Sequence, residues 1–307
     1  MKNNTKKSLI FFILFVLLIY PSVCAKGVLL GIDILFYSLI PALLPFLLFS
    51  NYLIITNTSY IISDFFHPLF HKIFKTGKSG SYALLMGFLC GYPLGSKILC
   101  DLLKRKCISR KEANYLFKFI NNPSPAFLQG YLFTLFNLSL RQRIILMIFT
   151  YLPSIIIGIY LASDFKSDII CVNDSEIKLP ISKIIDDSVS NAFLTITKIA
   201  GYLIIFSIIS VFIQKITILP ETIKCIILCM LEVTSGTHYL SVLTIPNSIK
   251  ILFAIIFSII GGLSIIFQIN GVSSDSNLKI SELIKYKIIS ALFFTILFFS
   301  IYKLIFI

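Results

Sequence analysis

The chain has 307 residues, of which 57% are hydrophobic and only 13% are charged, and its mean hydropathy is +0.93. One soluble core could not bury that much apolar surface, and apolar runs of about 20 residues recur along the sequence. The composition therefore excludes a soluble globular domain and predicts an all-α polytopic membrane protein. The net charge of +13 is assigned to the positive-inside rule for membrane loops, and no nucleic acid partner is expected.

The N-terminal 26 residues are predicted to be a signal-anchor helix. Lys2, Lys6 and Lys7 come before an apolar run at residues 9–20, which is the order that targeting segments have. Residues 22–25 resemble a cleavage site, so a cleaved signal peptide is the alternative. Residues 27–51 are the next predicted span.

Residues 57–80 are predicted to form a loop that contains several lysines. His67 and His71 stand at i and i+4 in this segment, a spacing that would suit two metal ligands on one helix face. Because no third ligand is evident nearby, no metal site is predicted.

Residues 81–103 are predicted to be a re-entrant hairpin with its tip at residues 91–95. The segment is long enough to cross the membrane once, yet both flanks are basic, so the positive-inside rule places both ends in the cytoplasm. The basic residues are Lys72, Lys75 and Lys78 before it, and Lys104, Arg105, Lys106, Arg110 and Lys111 after it. An ordinary kinked span is the alternative.

A broken helix is predicted next, at residues 113–138. Pro123 and Pro125 stand within three residues of each other, and each proline removes a hydrogen bond and clashes with the preceding helical turn. Irregular backbone at membrane depth is expected only where protein buries it or where it lines a wet cavity. The hairpin tip and this break therefore predict the functional site. Residues 144–163 are predicted to return inward, and residues 164–187 form a polar cytoplasmic linker.

The second half is predicted to repeat the plan of the first. A span at residues 191–213 is followed by an interrupted apolar stretch at 223–242, a weakened span at 249–270 and a last span at 284–307. The order in both halves is span, re-entrant hairpin, broken helix, span. The number of crossings gives the second half the opposite orientation. Inverted repeats with discontinuous helices are typical of secondary transporters.

Five stretches carry a family resemblance. Gly-Tyr-Pro-Leu-Gly-Ser-Lys at 91–97, Lys-Arg-Lys-Cys-Ile-Ser-Arg-Lys-Glu-Ala at 104–113 and Phe-Ile-Asn-Asn-Pro-Ser-Pro-Ala-Phe at 119–127 resemble the sporulation integral membrane protein YlbJ family. Gly-Tyr-Leu-Ile-Ile-Phe-Ser at 201–207 and Leu-Glu-Val-Thr-Ser-Gly at 231–236 are similar to its second half. The resemblance covers about residues 28–270. It implies two nucleoside recognition (Gate) repeats, at 27–163 and 188–307, that are similar to the core of concentrative nucleoside transporters.

The function that the resemblance implies is sporulation membrane transport by alternating access. The substrate would be dipicolinic acid, a small aromatic dicarboxylate, moved toward the forespore across the membrane that the mother cell contributes. The alternatives are a carrier for nucleosides or other small solutes, and a scaffold that transports nothing. No nucleophile with a usable base, no H-E-x-x-H and no phosphate loop is present in the sequence, so no enzymatic activity is expected.

The predicted substrate site collects the residues at the two tips and the two breaks. They are Gly91, Tyr92, Pro93, Gly95, Ser96, Lys97, Asn121, Asn122, Ser124, Thr234, Ser235, Gly236, Gln268 and Asn270. Free N–H groups at half-helix N-termini, with Lys97 beside the first tip, favour a small anionic solute. Lys97 reaching the membrane interface is the alternative, and Tyr92 either stacks on a substrate ring or only packs.

Glu232 is the predicted coupling residue, because a carboxylate inside a membrane is costly and usually functional. Lys118 or Lys198 could instead pair with it, which would make Glu232 structural. No cofactor is predicted, and the coupling ion is left open between Na⁺ and H⁺. The expected partners are the small anionic solute and the lipid bilayer, with a second copy of the chain or other sporulation membrane proteins left open.

Overall fold

The computed structural model describes residues 15–56, 58–163 and 180–306, and every regular element within these ranges is a helix. Most of the predicted signal anchor and most of the predicted linker lie outside the described residues. Five helical segments are long and apolar enough to cross a membrane, which supports an all-α polytopic membrane protein. They are Pro21–Leu39, Leu140–Leu161, Ile181–Gln214, Asn247–Ser276 and Ile280–Ser300.

After a helical stretch at residues 15–19, the described residues of the first half form nine α-helices. They are α1 (Pro21–Ile34), continued by a π-helical segment (Leu35–Leu39) into α2 (Ile40–Ile55), then α3 (Ser59–Phe74), α4 (Lys78–Cys90), α5 (Leu94–Lys104), α6 (Arg110–Phe117), α7 (Pro125–Phe127), continued by a second π-helical segment (Leu128–Leu132) into α8 (Phe133–Leu135), and α9 (Leu140–Leu161).

The second half has six helices in its described part, namely α10 (Ile181–Gln214), α11 (Glu221–Leu231), α12 (Val233–Val242), α13 (Asn247–Ile260), α14 (Gly262–Ser273) and α15 (Ile280–Phe306). Two antiparallel pairs, α4 with α5 and α11 with α12, are referred to below as the first and second hairpins. Each hairpin is followed by a helix that stops and restarts: α6 and α7 in the first half, α13 and α14 in the second. How these elements are oriented in the bilayer remains a prediction.

The predicted loop at residues 57–80 is wrong, because most of it is α3. Aromatic side chains one turn apart, Phe66, Phe70 and Phe74, contact one another along this helix, and α3 packs along α4. The His67 ring lies 3.2 Å from the Ser81 hydroxyl and the His71 ring 2.9 Å from a backbone carbonyl. Both imidazoles therefore serve contacts within the fold.

The predicted linker also ends too late. Helix α10 begins at Ile181, so residues 181–187 are helical, and the helix runs for 34 residues. At 1.5 Å per residue it is about 51 Å long, well beyond the roughly 30 Å of the hydrocarbon core. Its first turns therefore extend past the apolar span that hydropathy identifies.

Helix α10 also joins the two halves, since it packs against α1, α2, α11 and α14. Two glycines set its contact with α1. A Cβ atom at Gly27 would lie 2.4 Å from the Cα of Ile208, and one at Gly31 would lie 2.9 Å from the Cα of Ile204. Glycines four residues apart let two membrane helices approach this closely. The core consists of two apolar clusters, one around Tyr82, Leu99 and Leu116 and one around Leu132, Ile255 and Phe294.

Candidate functional site

A cavity of about 240 Å³ is lined by residues of both hairpin tips, of the first helix break and of α14. Five of the predicted site residues line it: Tyr92, Ser124, Glu232, Thr234 and Gln268. They come from the first hairpin, the first break, the second hairpin and α14. Four separate predictions along the chain thus converge on one cavity.

Aromatic side chains that sequence reasoning missed form much of the remaining wall. Tyr37 comes from the π-helical segment after α1, and Phe127 and Tyr131 come from the segment after the first break. The rings of Phe127 and Tyr131 stack, with their centroids 5.4 Å apart, and the Tyr131 hydroxyl donates to the carbonyl of Thr234 at 2.6 Å. In the sequence these residues are indistinguishable from the many other aromatic residues of the spans.

Tyr92 ties the first hairpin tip to both halves of the protein. Its backbone N–H donates to the carbonyl of Asn122 at 2.9 Å, and its hydroxyl donates to the carbonyl of Ser258 at 3.1 Å. Since both polar groups are used within the protein, Tyr92 offers the cavity its ring.

The other predicted residues of the first tip do not line the cavity. Gly91 has φ +69°, and a Cβ there would lie 2.6 Å from the carbonyl oxygen of Asn122. A Cβ at Gly95 would lie 3.1 Å from the Cα of Gly87. These glycines are needed for the turn and for close helix packing. Pro93 lies in the same turn, just before α5 begins.

Asn121, Asn122 and Ser96 hold the first helix break together. Ser96 donates to the Asn121 side-chain oxygen at 2.7 Å, and the Asn121 amide donates to the carbonyl of Phe117 at 3.2 Å. The Asn122 side chain donates to Phe119 and accepts from Ser154. The two amides satisfy groups that a continuous helix would have satisfied, and they do not line the cavity.

Glu232 alone separates α11 from α12. Its backbone is extended, and its carboxylate accepts hydrogen bonds from the N–H groups of Thr234 at 2.9 Å and Ser235 at 2.6 Å. The side chain is therefore the N-cap of α12. The helix N-terminus that was predicted to attract an anionic solute at this tip is occupied by the chain's own carboxylate.

The alternative in which Glu232 pairs with Lys118 or Lys198 does not match the structure. Within the described ranges no lysine lies within 4.0 Å of its carboxylate, and Lys118 lies 3.9 Å from Glu282 instead. Two N–H groups and the helix dipole compensate the buried charge. Behind this residue, Gly236 lets α11 and α12 pack closely, since a Cβ there would lie 2.4 Å from the Cα of Cys229.

Lys97, Gln268 and Asn270 have different surroundings. Lys97 forms an ion pair with Asp101 at 2.5 Å, one turn along α5, and does not line the cavity. Gln268 lines it, with its amide donating to Ser264 at 3.1 Å. Asn270 is on the exposed side of α14 and does not line it.

Lys287, on α15, is a buried residue that sequence reasoning missed. Its ammonium donates to the carbonyls of Asn121 at 2.8 Å and Ile259 at 2.9 Å, and it lies 4.8 Å from the centre of the Tyr92 ring. In the sequence it stands near Lys279 and Lys285, so it resembles one more lysine of the basic segment that precedes the last predicted span. Its position inside the predicted last span was the only signal that could have found it.

The chain is similar to the sporulation integral membrane protein YlbJ of Bacillus subtilis (strain 168). The two are 25% identical over 289 residues, which cover 81% of this chain and 70% of the relative. This match supports the resemblance to the YlbJ family that the sequence motifs indicate. No family model and no solved structure matches the chain. The apolar helices support a multi-pass membrane protein, and the relative that the chain resembles is a sporulation integral membrane protein.

The cavity has the size and the lining for a small planar solute. Its aromatic rings offer faces for stacking, and Ser124 and Gln268 offer hydrogen bonds. Among the described residues that line it, Glu232 is the one carboxylate, and no lysine, arginine or histidine is present. Its volume is below the roughly 300–1,000 Å³ of pockets for drug-sized ligands, which favours a solute with one or two rings.

Proposed function

We propose that the chain is a secondary transporter for a small planar solute and works by alternating access. The observation that carries this proposal is the single cavity lined by both hairpins and by segments of both broken helices. Transporters place substrate at the meeting point of discontinuous helices from two inverted repeats. The two halves are proposed to be such repeats, similar to the core of concentrative nucleoside transporters, with no chemical reaction carried out by the chain.

The substrate proposed first is dipicolinic acid, moved toward the forespore across the surrounding mother-cell membrane. The sporulation relative and the aromatic, one-ring-sized cavity support this choice. A dicarboxylate beside ionised Glu232 would be repelled, because like charges in a low dielectric interact strongly. The coupling role proposed for Glu232 is to hold the coupling cation that offsets this repulsion.

A neutral solute such as a nucleoside is the second candidate, and Glu232 is the observation that favours it. An ionised carboxylate in an apolar cavity accepts strong hydrogen bonds from N–H and O–H groups of a ligand. The variant Glu232→Gln separates the two substrates. Removal of the negative charge is expected to leave dipicolinate binding equal or tighter, whereas nucleoside binding weakens by about 10-fold, the loss of one charge-assisted hydrogen bond.

The experiment for the transport proposal is uptake by purified protein in proteoliposomes. Labelled dipicolinate and a panel of labelled nucleosides are compared with protein-free liposomes. The matched variants are Gly130→Leu and Gly201→Leu, because a Cβ at either glycine meets no atom within 4 Å and only Gly130 lines the cavity. Gly130→Leu is expected to abolish uptake and Gly201→Leu to retain it. If none of the solutes enters the proteoliposomes, the alternative of a scaffold that transports nothing is favoured.

A further inference from the structure

The carbonyls that hold Lys287 belong to the ends of two interrupted helices. Asn121 lies four residues beyond the last residue of α6, and Ile259 lies in the last turn of α13, where Gly261 leaves the helix with φ +89°. Carbonyls at a helix C-terminus carry partial negative charge and lack helical partners. One end comes from each half of the chain, so the two negative ends converge on one point.

That point has the properties of a site for a monovalent cation. Free carbonyls at half-helix C-terminal ends are the groups with which broken-helix transporters coordinate a coupling ion. Here the Lys287 ammonium donates to both carbonyls at 2.8 and 2.9 Å, and the face of the Tyr92 ring supplies a third favourable contact. The Lys287 ammonium thus lies where a free cation would bind.

The charge of Lys287 has no acidic partner nearby. Across the described parts of the chain, no carboxylate lies within 4.0 Å of its ammonium, although the side chain is buried. A buried ammonium without a counter-ion is costly, and residues of this kind inside membranes usually serve function. Its compensation comes from the two carbonyls and the ring, which are the groups that would otherwise receive sodium.

We propose that Lys287 occupies a monovalent-cation site at the junction of the two helix breaks. Sodium is excluded while the Lys287 ammonium holds this site, so uptake does not depend on sodium, and of the two coupling ions left open the proton remains. The conclusion about sodium rests on the proposed transport function, whereas the cation site itself is a property of the folded protein.

Replacing Lys287, which removes its ammonium group, tests the cation site directly. Purified full-length Lys287→Ala is melted in detergent at constant ionic strength with N-methylglucamine, sodium or propylammonium as the cation. Its melting temperature is expected to be about 5–10 °C below that of the wild type in N-methylglucamine, because two carbonyls lose their partner. Propylammonium, the missing part of the side chain, and to a lesser degree sodium should restore part of this loss.

The controls are the wild type and Lys285→Ala, which changes an exposed lysine on the same helix. Neither should respond to the cation. Equal melting of Lys287→Ala in all three salts, or melting like the wild type, would overturn the proposal. If Lys287→Ala does not fold, Lys287→Met fills the volume without charge, and it must then be less stable than Lys285→Met.

Sodium replacement in the uptake assay tests the consequence. Wild-type uptake of dipicolinate should be unchanged when N-methylglucamine replaces sodium on both sides of the membrane. A loss of uptake on that replacement would overturn the inference while the transport function stands. If dipicolinate does not enter at all, the transport proposal fails, and the melting experiment still decides the cation site.

Discussion

The two hairpins differ in how each is held. The first is tied by other parts of the chain: the Glu112 carboxylate of α6 accepts from the N–H of Gly77 at 2.7 Å, just before α4, and Tyr92 bonds both the first break and α13. The second turns at the single residue Glu232, which caps its own helix, and its tip also accepts a hydrogen bond from the Tyr131 hydroxyl at the carbonyl of Thr234. Burial follows the same division, since nine of 13 residues are buried in α4 but four of 11 in α11.

Helix α3 accounts for much of this asymmetry. It packs along α4 of the first hairpin, and no corresponding helix precedes the second hairpin among the described residues. A hairpin that is covered on several sides cannot move without breaking many contacts at once. We therefore expect the first hairpin to act as a fixed support and the second to carry the charge and the mobility that transport needs.

The largest effect is expected from Gly91→Val in the fixed hairpin. Valine is strained at φ +69°, and its Cβ would overlap the carbonyl oxygen of Asn122 at 2.6 Å. Uptake in proteoliposomes should be abolished and the melting temperature should fall by roughly 5–10 °C. Gly201→Val, at an unobstructed glycine of α10, is the control. Normal uptake and melting of Gly91→Val would show that the first hairpin does not act as a fixed support.

An intermediate effect is expected at the tip of the second hairpin. Glu232→Gln keeps the shape and one of the two oxygen acceptors, so one N–H of α12 loses its partner, and it cannot carry charge. It should exchange substrate across the membrane at a normal rate and fail to accumulate it against a gradient, with a smaller fall in melting temperature than Glu232→Ala. Glu232→Ala also loses the cap, at a cost of about 1 kcal/mol, and should melt about 2–4 °C lower. Full accumulation by Glu232→Gln would show that this residue does not couple.

The sequence predicted the interruptions of the helices well, because prolines and glycines act within one helical turn. The predicted tip at 91–95 contains the turn at residues 91–93, the predicted break contains the non-helical residues 121–124, and the second apolar stretch is interrupted at Glu232. Helix α3 was not predicted because its polar residues suggested a loop, and its aromatic residues were not recognised as one face of a helix. Which residues face the cavity was also not predictable: Asn121 and Lys287 meet across 166 positions, a contact that depends on the packing of whole helices.

The smallest effect concerns the support that α3 gives to the first hairpin. Burial, followed by the nearby His71 and Lys78, lowers the pKa of His67 from its usual 6.5. The folded state thus prefers the neutral ring beside the Ser81 hydroxyl, and protonation favours unfolding. This contribution to stability is complete above pH 6.5 and is lost as the pH falls from 6.5 toward the lower pKa of the folded state.

The measurement is the difference in melting temperature between pH 7.5 and pH 5.5, for the wild type and for His67→Gln. The wild type should lose about 1–2 °C more than the variant, a small effect because the ring is only partly buried. Groups away from His71 that titrate in this range contribute equally to both proteins, so the difference between them reports His67 together with its interaction with His71. An identical pH response would mean that the α3 contact through His67 does not help to hold the first hairpin, and α3 would then act through its aromatic face alone.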